Sequence, residues 1–522
     1  MNTWGAGYVT DVSYVHGIYR EQTPAIIGFA GLITGIATPN PDGPLRYCEL
    51  GCGQGDLANL LAAANPDIEI HATDFNPAHI VGARSLAAEA GTGNVHLYDR
   101  SFAEFAADDT LPDFDIVTLH GIYSWISEEN RRHIVEFLRR RLKPGGVVYI
   151  SYNTMPGWAA LMPLRRLMFD FASSEFGTTI DRAERALLQA QNVVDAEAAF
   201  FRVNPYVAET LQLVRKQPPN YVIHEYLNRD ATPFYFADVV AELSEAKLTY
   251  LGSAHILENI DAVNFSDVQQ QFLATVNEPI RRYSLKDYMI NQRFRRDVFI
   301  KGAVPLSPAS SIARWLDMRF VLDTLREDVG MTVQGAQGEV TLQVEVYDPV
   351  LDGLAAGPRT VRELLADPKV DELGWPRLQQ ALAVLVGANH VQLARSADGE
   401  SARRAGATAF NRVILNAARA SDAMQFLASP VTGGPVALDR VSQLFLLASV
   451  EGHADAPAFA WDILKDQGAQ LLKDGKPLET VEENVAELRE LFARFNAKQI
   501  PRLAALGIVA VSEGAIEESA AA

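Results

Sequence analysis

The sequence predicts an α/β fold with a mostly parallel sheet, and three observations carry that prediction. In the first third, short strand-like runs alternate with helical stretches of about 10–15 residues, the pattern of βαβ units. A glycine-rich turn, Gly51-Cys52-Gly53-Gln54-Gly55, joins the first of those strands to the first of those helices. From about residue 160 the alternation gives way to mainly helical periodicity.

The elements follow in order. AIIGFAGLITGIA (25–37) is apolar but only 13 residues long and broken by glycine. It falls below the roughly 17–25 residues that span a bilayer, so a helix packed on a core is expected. LRYCEL (45–50) is a strand ending in the glycine turn. DLANLLAAANP (56–66) is a helix closed by proline, and IEIHATD (68–74) is a second strand. HIVGARSLAAEAG (79–91) is a helix with Gly91 as its C-cap. NVHLYD (94–99) and FDIVTLHG (114–121) are further strands. SEENRRHIVEFLRRRL (127–142) is a helix with Ser127 as N-cap, and KPGG leads into the strand VVYISYN (147–153). Beyond this, residues 160–215 read as helical. FADVVAELSEAKLTYL (236–251) places Val239, Val240, Leu243 and Leu248 on a helical stripe. RTVRELLAD (359–367) and WPRLQQALAVLVGANHVQLARS (375–396) read as helix, helix, strand, a winged-helix-like order. Residues 400–510 are mostly helical, and an acidic, alanine-rich tail that frays is expected to follow.

The 522 residues allow three or four domains. Lys and Arg total 46 against 65 Asp and Glu, a net charge of −19, which argues against a chain devoted to coating nucleic acid. With two cysteines there is no disulfide framework, and a cytoplasmic setting is expected. The N-terminus has no secretory pattern. Cys48, Cys52, His71 and His79 lack paired metal-ligand spacing, so no metal is expected.

The chemistry concentrates at Glu49-Leu-Gly51-Cys52-Gly53-Gln-Gly55-Asp56. Glycines there let the backbone turn tightly and approach a ligand. Asp74 ends the second strand, where a carboxylate reaches a ribose hydroxyl pair. A dinucleotide fingerprint would need glycine where Asp56 stands, and a P-loop would need G-K-[ST], which is absent. The opening Glu49 suits a ligand bearing an amino group and a sulfonium better than a pyrophosphate.

The run ELGCGQG, then ATDFNP, FDIVTLHG and LKPGGVVYIS, resembles the class I S-adenosylmethionine-dependent methyltransferases over residues 40–155. The resemblance implies a Rossmann-like domain with a mostly parallel seven-stranded sheet and S-adenosyl-L-methionine as cofactor. It places Glu49, Gly51, Cys52, Gly53 and Gly55 on the methionine part and Asp74 on the ribose. Phe75 and Asn76 come next, with Phe75 on the adenine. Asp99, Ser101 and Phe102 border the adenine, and His120 faces both cofactor and substrate.

HGIYSWIS (120–127), SYNTMPGW (151–158) and NYVIHEYLNRDATPFYFADVV (220–240) are similar to members that carry a methyltransferase regulatory domain. The rickettsial outer-membrane-protein lysine methyltransferases belong to that group. KDYMINQRFRRDVFIKG (286–302) then ends the middle domain. Tyr14, Tyr19 and Glu21-Gln22-Thr23-Pro24 resemble its cofactor-covering segment. The expected division is 1–40 covering helices, 41–165 cofactor domain, 166–215 helical connection, 216–302 regulatory domain, 303–400 winged-helix-like domain and 401–522 helical end.

Tyr123, Trp125, Tyr152 and Trp158 follow the fourth and fifth strands, where a substrate cation would meet aromatic faces or where the rings simply pack. With Asn153, Tyr123, Trp125 and Trp158 are the expected substrate contacts; Tyr152 and His120 are the candidate proton acceptors. Asn153-Thr154-Met155-Pro156 lacks the [DNS]-P-P-[YFW] loop of base-methylating relatives. Arg293, Arg295 and Arg296 read as a solvated helix face, with an acidic substrate site as the alternative. Three functions stay open: methylation of protein lysines, methylation of a small molecule or a cell-surface sugar or lipid, and a non-catalytic cofactor-binding role. A protein substrate is the first of these, with no nucleic acid, no membrane span and a homodimer as a further possibility.

Overall fold

In the computed structural model, residues 9, 11–12 and 16–510 are described. Tyr14 and the acidic tail after residue 510 lie outside the described residues.

Helix α1 (Pro24–Ile33) starts at the Thr23 cap, with proline at its first position, where the missing N–H costs nothing. Ile27, Phe29 and Ala30 on it are fully buried, as expected for a core-packed helix. Then come β1 (Leu45–Leu50), α2 (Asp56–Ala64), β2 (Ile68–Asp74), α3 (Pro77–Ala90), β3 (Val95–Asp99), α4 (Phe102–Ala107), β4 (Phe114–Leu119), α5 (Glu128–Arg141) and β5 (Leu142–Asn153). Gly91 closes α3 in the left-handed conformation and Ser127 caps α5. Two details differ from the sequence reading. The capping box of Ser101 and Glu104 nucleates the short α4, and β5 starts at Leu142, taking KPGG into the strand.

Helices α6 (Met162–Ser174), α7 (Thr179–Asp195), α8 (Ala199–Val203), α9 (Pro205–Val214) and α10 (Pro219–Tyr226) pack around a core of their own, with Leu161, Leu164, Met168, Val207 and Ile223. The stripe at 236–251 is not one helix: α11 (Phe236–Ser244) ends, Lys247 takes a positive φ, and β6 (Leu248–Ser253) follows. Leu248 is therefore a strand residue. After the helix Pro279–Ile290 comes β7 (Phe294–Lys301).

The seven strands run in the order β3-β2-β1-β4-β5-β7-β6. β1 to β5 are parallel, and β7 runs antiparallel to both β5 and β6. Residues 216–302 thus complete the sheet begun by residues 45–153. The arginine run corrects its expectation. Arg295 lies on β7 only 6% exposed, because Asp297 and Asp287 pair with it inside the protein.

Farther along, strand Arg319–Leu322 pairs antiparallel with Val391–Ala394 and with Arg359–Thr360, beside helix Trp375–Gly387. RTVRELLAD contains only a four-residue helix, Val361–Leu364. Helices Glu400–Ala417, Arg440–Glu451, Ala456–Asp466 and Val481–Arg494 complete the end. One apolar core runs from Ile18 and α1 through the inner face of the sheet to Leu444, Leu488 and Leu506. Arg395 helps tie it: its guanidinium donates to Asn65 Oδ1 at 2.8 Å and to Asp67 Oδ2 at 2.8 Å. Among the described residues, no helix is long and apolar enough to cross a membrane.

Candidate functional site

The carboxyl ends of β1, β2 and β4 converge on the glycine turn. Gly51, Gly53 and Gly55 all have positive φ, at 71°, 53° and 72°. A Cβ at Gly51 would lie 2.5 Å from Ile122 Cδ1, and one at Gly55 would lie 2.6 Å from Ala83 Cβ. At Gly53 nothing lies within 4 Å of that position, so the turn opens there. Gly51 and Cys52 donate their N–H groups to Thr73 O at 2.8 and 3.0 Å, which seats the turn against the end of β2.

Two carboxylates face this turn. Asp74 Oδ2 accepts the Gly53 N–H at 2.9 Å, and Oδ1 accepts the Asn76 N–H at 2.9 Å. Glu49 is 6% exposed and its Oε2 has no hydrogen-bond partner among the described residues. Burial, with Asp56 and Asp74 close by, pushes the Glu49 carboxyl up to about 8. An acid with one orphaned oxygen beside two other acids is a site that a cation would stabilise. The donor set and the open turn fit a ligand carrying an ammonium or sulfonium.

The remaining candidates fall into three groups. Asp99 is exposed at the end of β3, in register with Asp74, and Phe75 and Phe102 are half-buried on the same rim. The side chains of Asn76 and Ser101 are used as caps, accepting from Ala78 N and Glu104 N. His120, at the end of β4, is crowded by Tyr19, Tyr149 and Phe294. Its ring stacks on Tyr19 at 3.6 Å between centroids, and its Nδ1 lies 2.7 Å from the Tyr149 hydroxyl. Desolvation drops its pKa to about 3, so it is neutral and a poor base.

Of the four aromatic candidates, Tyr123 and Tyr152 meet around Phe234, and Trp158 lies apart from them. Tyr123 is fully buried, donates to Glu242 and packs beside Phe234. Tyr152 is 1% exposed and donates to Asp297 Oδ2 at 2.6 Å. Trp158 belongs to the separate core of α6–α10, beside Tyr226, and Trp125 is buried in the turn 123–125. Asn153 is 7% exposed; its backbone is fixed by Ser124 Oγ and Phe234 N. The aromatic side chains are large and mostly apolar, and the core takes them.

The sequence reading singles out Tyr19 and Glu21 in the N-terminal segment, but not His16 or Ile122. His16 Nδ1 lies 2.8 Å from Asp56 Oδ2, a bond that raises the imidazole above its ordinary value. Glu21 lies near His255 and Arg296, and although burial opposes it these neighbours hold its carboxyl at about 2. Only the packing of residues 16–22 across the sheet end reveals these contacts. Beside Gln54 a cleft of about 900 Å³ opens, with Asp422, Asp439, Gln499 and Arg502 on its far wall.

Comparison with known proteins points to the same fold. A family described as "Methyltransferase domain" matches residues 48–148, and one described as "Predicted methyltransferase regulatory domain" matches 218–301. The Synechocystis protein sll1526 is 40% identical over 97% of this chain and 100% of its own length. PKMT2 from Rickettsia typhi superposes with a TM-score of 0.66 at 17% identity, covering 94% of this chain and 98% of that one. The same protein in complex with AdoHcy gives 0.65 at 18% identity, over 91% and 96%. At those identities the likeness speaks for the fold.

Proposed function

The chain belongs to the class I S-adenosylmethionine-dependent methyltransferases that carry a regulatory domain, and from that premise we propose that it methylates lysine side chains of a protein substrate. S-adenosylmethionine supplies the methyl group when bound, in an in-line displacement that needs donor and acceptor about 3–3.5 Å apart. We assign Gly51, Cys52, Gly53 and Gly55 to close backbone approach, Glu49 to the cofactor's positive charge and Asp74 to the ribose hydroxyls. Asp74 keeps acceptor capacity for this, because a carboxylate has about four lone-pair sites and Gly53 N, Asn76 N and His79 Nδ1 use three. Phe75, Asp99 and Phe102 border the adenine in this reading. Tyr19 and His120 form the roof.

The observation that carries the substrate class is the open cleft beside Gln54, whose far wall comes from residues 422–439 and 499–502. A small metabolite is better served by an enclosed pocket, whereas a folded substrate needs an open approach. Carboxylates of Asp422 and Asp439 on that wall complement a cationic lysine side chain.

An attacking amine must be neutral, and a free lysine has a pKa of about 10.4. His120 is held too low to take its proton, and burial raises the phenols of Tyr149 and Tyr152. The amine therefore loses its proton to solvent and is kept neutral by desolvation beside the cofactor, beyond the open cleft. Tyr152 acts as a positioning residue within β5.

The test is incubation with methyl-labelled S-adenosylmethionine and total bacterial protein, followed by hydrolysis and amino-acid analysis. Label in methyl-lysine supports the reading. Label found only in small molecules, sugars or lipids overturns the lysine assignment and leaves the methyltransferase class intact.

A further inference from the structure

Away from the glycine turn, three ligand-type side chains meet on the sheet. Glu69 and His71 lie two residues apart on β2 and so share a face. His96 on β3 is the registered partner of His71. β3 is the edge strand of the sheet. Among the described residues, Glu69, His71 and His96 bring one ligand atom each to within 4.8 Å of one another.

We propose that Glu69, His71 and His96 form a binding site for a divalent transition metal, zinc foremost, that clamps edge strand β3 to β2.

The distances suit that ion. His71 Nε2 lies 3.3 Å from Glu69 Oε1, and His96 Nε2 lies 3.5 Å from the same oxygen. Ligands about 2.0–2.1 Å from a tetrahedral zinc are separated from each other by roughly 3.3–3.4 Å. His96 is half exposed, so a small ring rotation brings its nitrogen in from solvent.

An independent observation points to a missing partner. His71 is 4% exposed, yet its Nε2 makes no hydrogen bond; Glu69 Oε1 stands near it but off the hydrogen-bonding direction. A buried ring nitrogen left without a hydrogen bond beside a carboxylate and a second imidazole is costly unless something binds it.

The outer contacts follow the pattern of metal sites. His71 Nδ1 lies 3.0 Å from the Tyr98 hydroxyl, which fixes the ring and leaves Nε2 inward. Arg46 Nε donates to Glu69 Oε2 at 2.8 Å and orients the carboxylate with Oε1 toward the histidines. Such partners orient ligands in known metal sites. Three protein ligands leave a fourth position for water. His71 precedes Asp74 by three residues along β2, about 10 Å, so this site is separate from the cofactor turn.

The test uses the full-length protein stripped with a chelator and then dialysed. Calorimetric titration with Zn²⁺ is expected to give one equivalent, and Co²⁺ the intense visible absorption of a tetrahedral site. His96→Ala, a half-exposed change that leaves the core alone, is expected to weaken Zn²⁺ binding at least tenfold and to abolish the zinc-dependent rise in Tm. His453→Ala, at an exposed histidine elsewhere, is expected to bind as the parent does. Equal affinity in the parent and His96→Ala, or no saturable binding in the parent, overturns the proposal. S-adenosylmethionine binding measured on the same samples is expected to be unchanged.

Discussion

Asp74 Oδ2 accepts the Gly53 N–H at 2.9 Å, so the end of the second strand holds the turn that follows the first. The turn and the acid thus form one unit, and losing the acid both removes a ligand acceptor and loosens the turn. Asp74→Ala is expected to weaken binding of S-adenosylmethionine and of its demethylated product by about 1–3 kcal/mol. Isothermal titration on folded protein measures it, and equal affinity for parent and variant refutes the role.

Glu49 supplies a pH signature. With its carboxyl near 8, it is largely protonated at pH 7, whereas a cationic ligand favours the charged form. Binding therefore releases a proton, and affinity is expected to rise with pH toward 8 and level off above it. The sign for stability is opposite. Because the folded pKa lies above the unfolded one, the protein loses stability as pH rises from about 4.5 to 8. Glu49→Gln is expected to flatten both profiles in titrations run from pH 6 to 9.

Tyr152 and Arg295 separate a structural role from a catalytic one. Arg295 donates to both oxygens of Asp297, at 2.8 and 3.0 Å, and to Asp287 at 2.6 Å, while Tyr152 donates to Asp297. Asp297→Ala leaves a buried guanidinium short of its partner and is expected to cost about 3–5 kcal/mol. Tyr152→Phe is expected to cost about 1–3 kcal/mol in denaturant unfolding with kcat retained. A large fall in kcat at unchanged fold would make Tyr152 catalytic.

The turnover rate is expected to rise through pH 8 and 9 with no step near the ordinary histidine pKa, because His120 stays neutral throughout. His120→Asn is expected to preserve the shape of that profile and to raise KM, since the ring packs under Tyr19. A lost alkaline rise in the variant would assign His120 the proton.

Gly157 tests the loop that follows β5. A Cβ there would lie 2.3 Å from the Gln292 carbonyl oxygen and 2.6 Å from that of Asn291. Backbone cannot move aside as a side chain does, so Gly157→Ala is expected to destabilise by about 1–3 kcal/mol, read from Tm.

The parallel half of the sheet was legible because its strands are apolar and its helices periodic, and because Gly51, Gly53 and Gly55 break both patterns at one place. β7 was hidden by its own chemistry. FRRDVFIK carries Arg295 and Asp297, which look solvated in sequence and are buried only because they pair with each other. β6 was hidden because Leu248 falls in phase with the helical stripe of α11, and nothing local announces the turn at Lys247. The aromatic residues after β4 and β5 misled for a different reason. Their position at the strand ends is right for a ligand, but Tyr123 and Tyr152 point into the core and Trp158 into the helical layer. The roof made by Tyr19 depends on packing between distant segments, which periodicity does not encode.

The continuous core has a consequence for how the protein is made. Helix α2 begins right after the glycine turn, yet Ala63 on it lies against Gly406 so closely that a Cβ there would come within 2.3 Å of its carbonyl oxygen. The helix that carries Gly406 leaves the ribosome long after the cofactor-binding strands do. Until it arrives, α2 packs on β2 and α3 but lacks its cover at Ala63. Nascent chains of this protein are therefore exposed to misassembly through most of their synthesis. Cutting the chain after the seventh strand would make that interim state permanent.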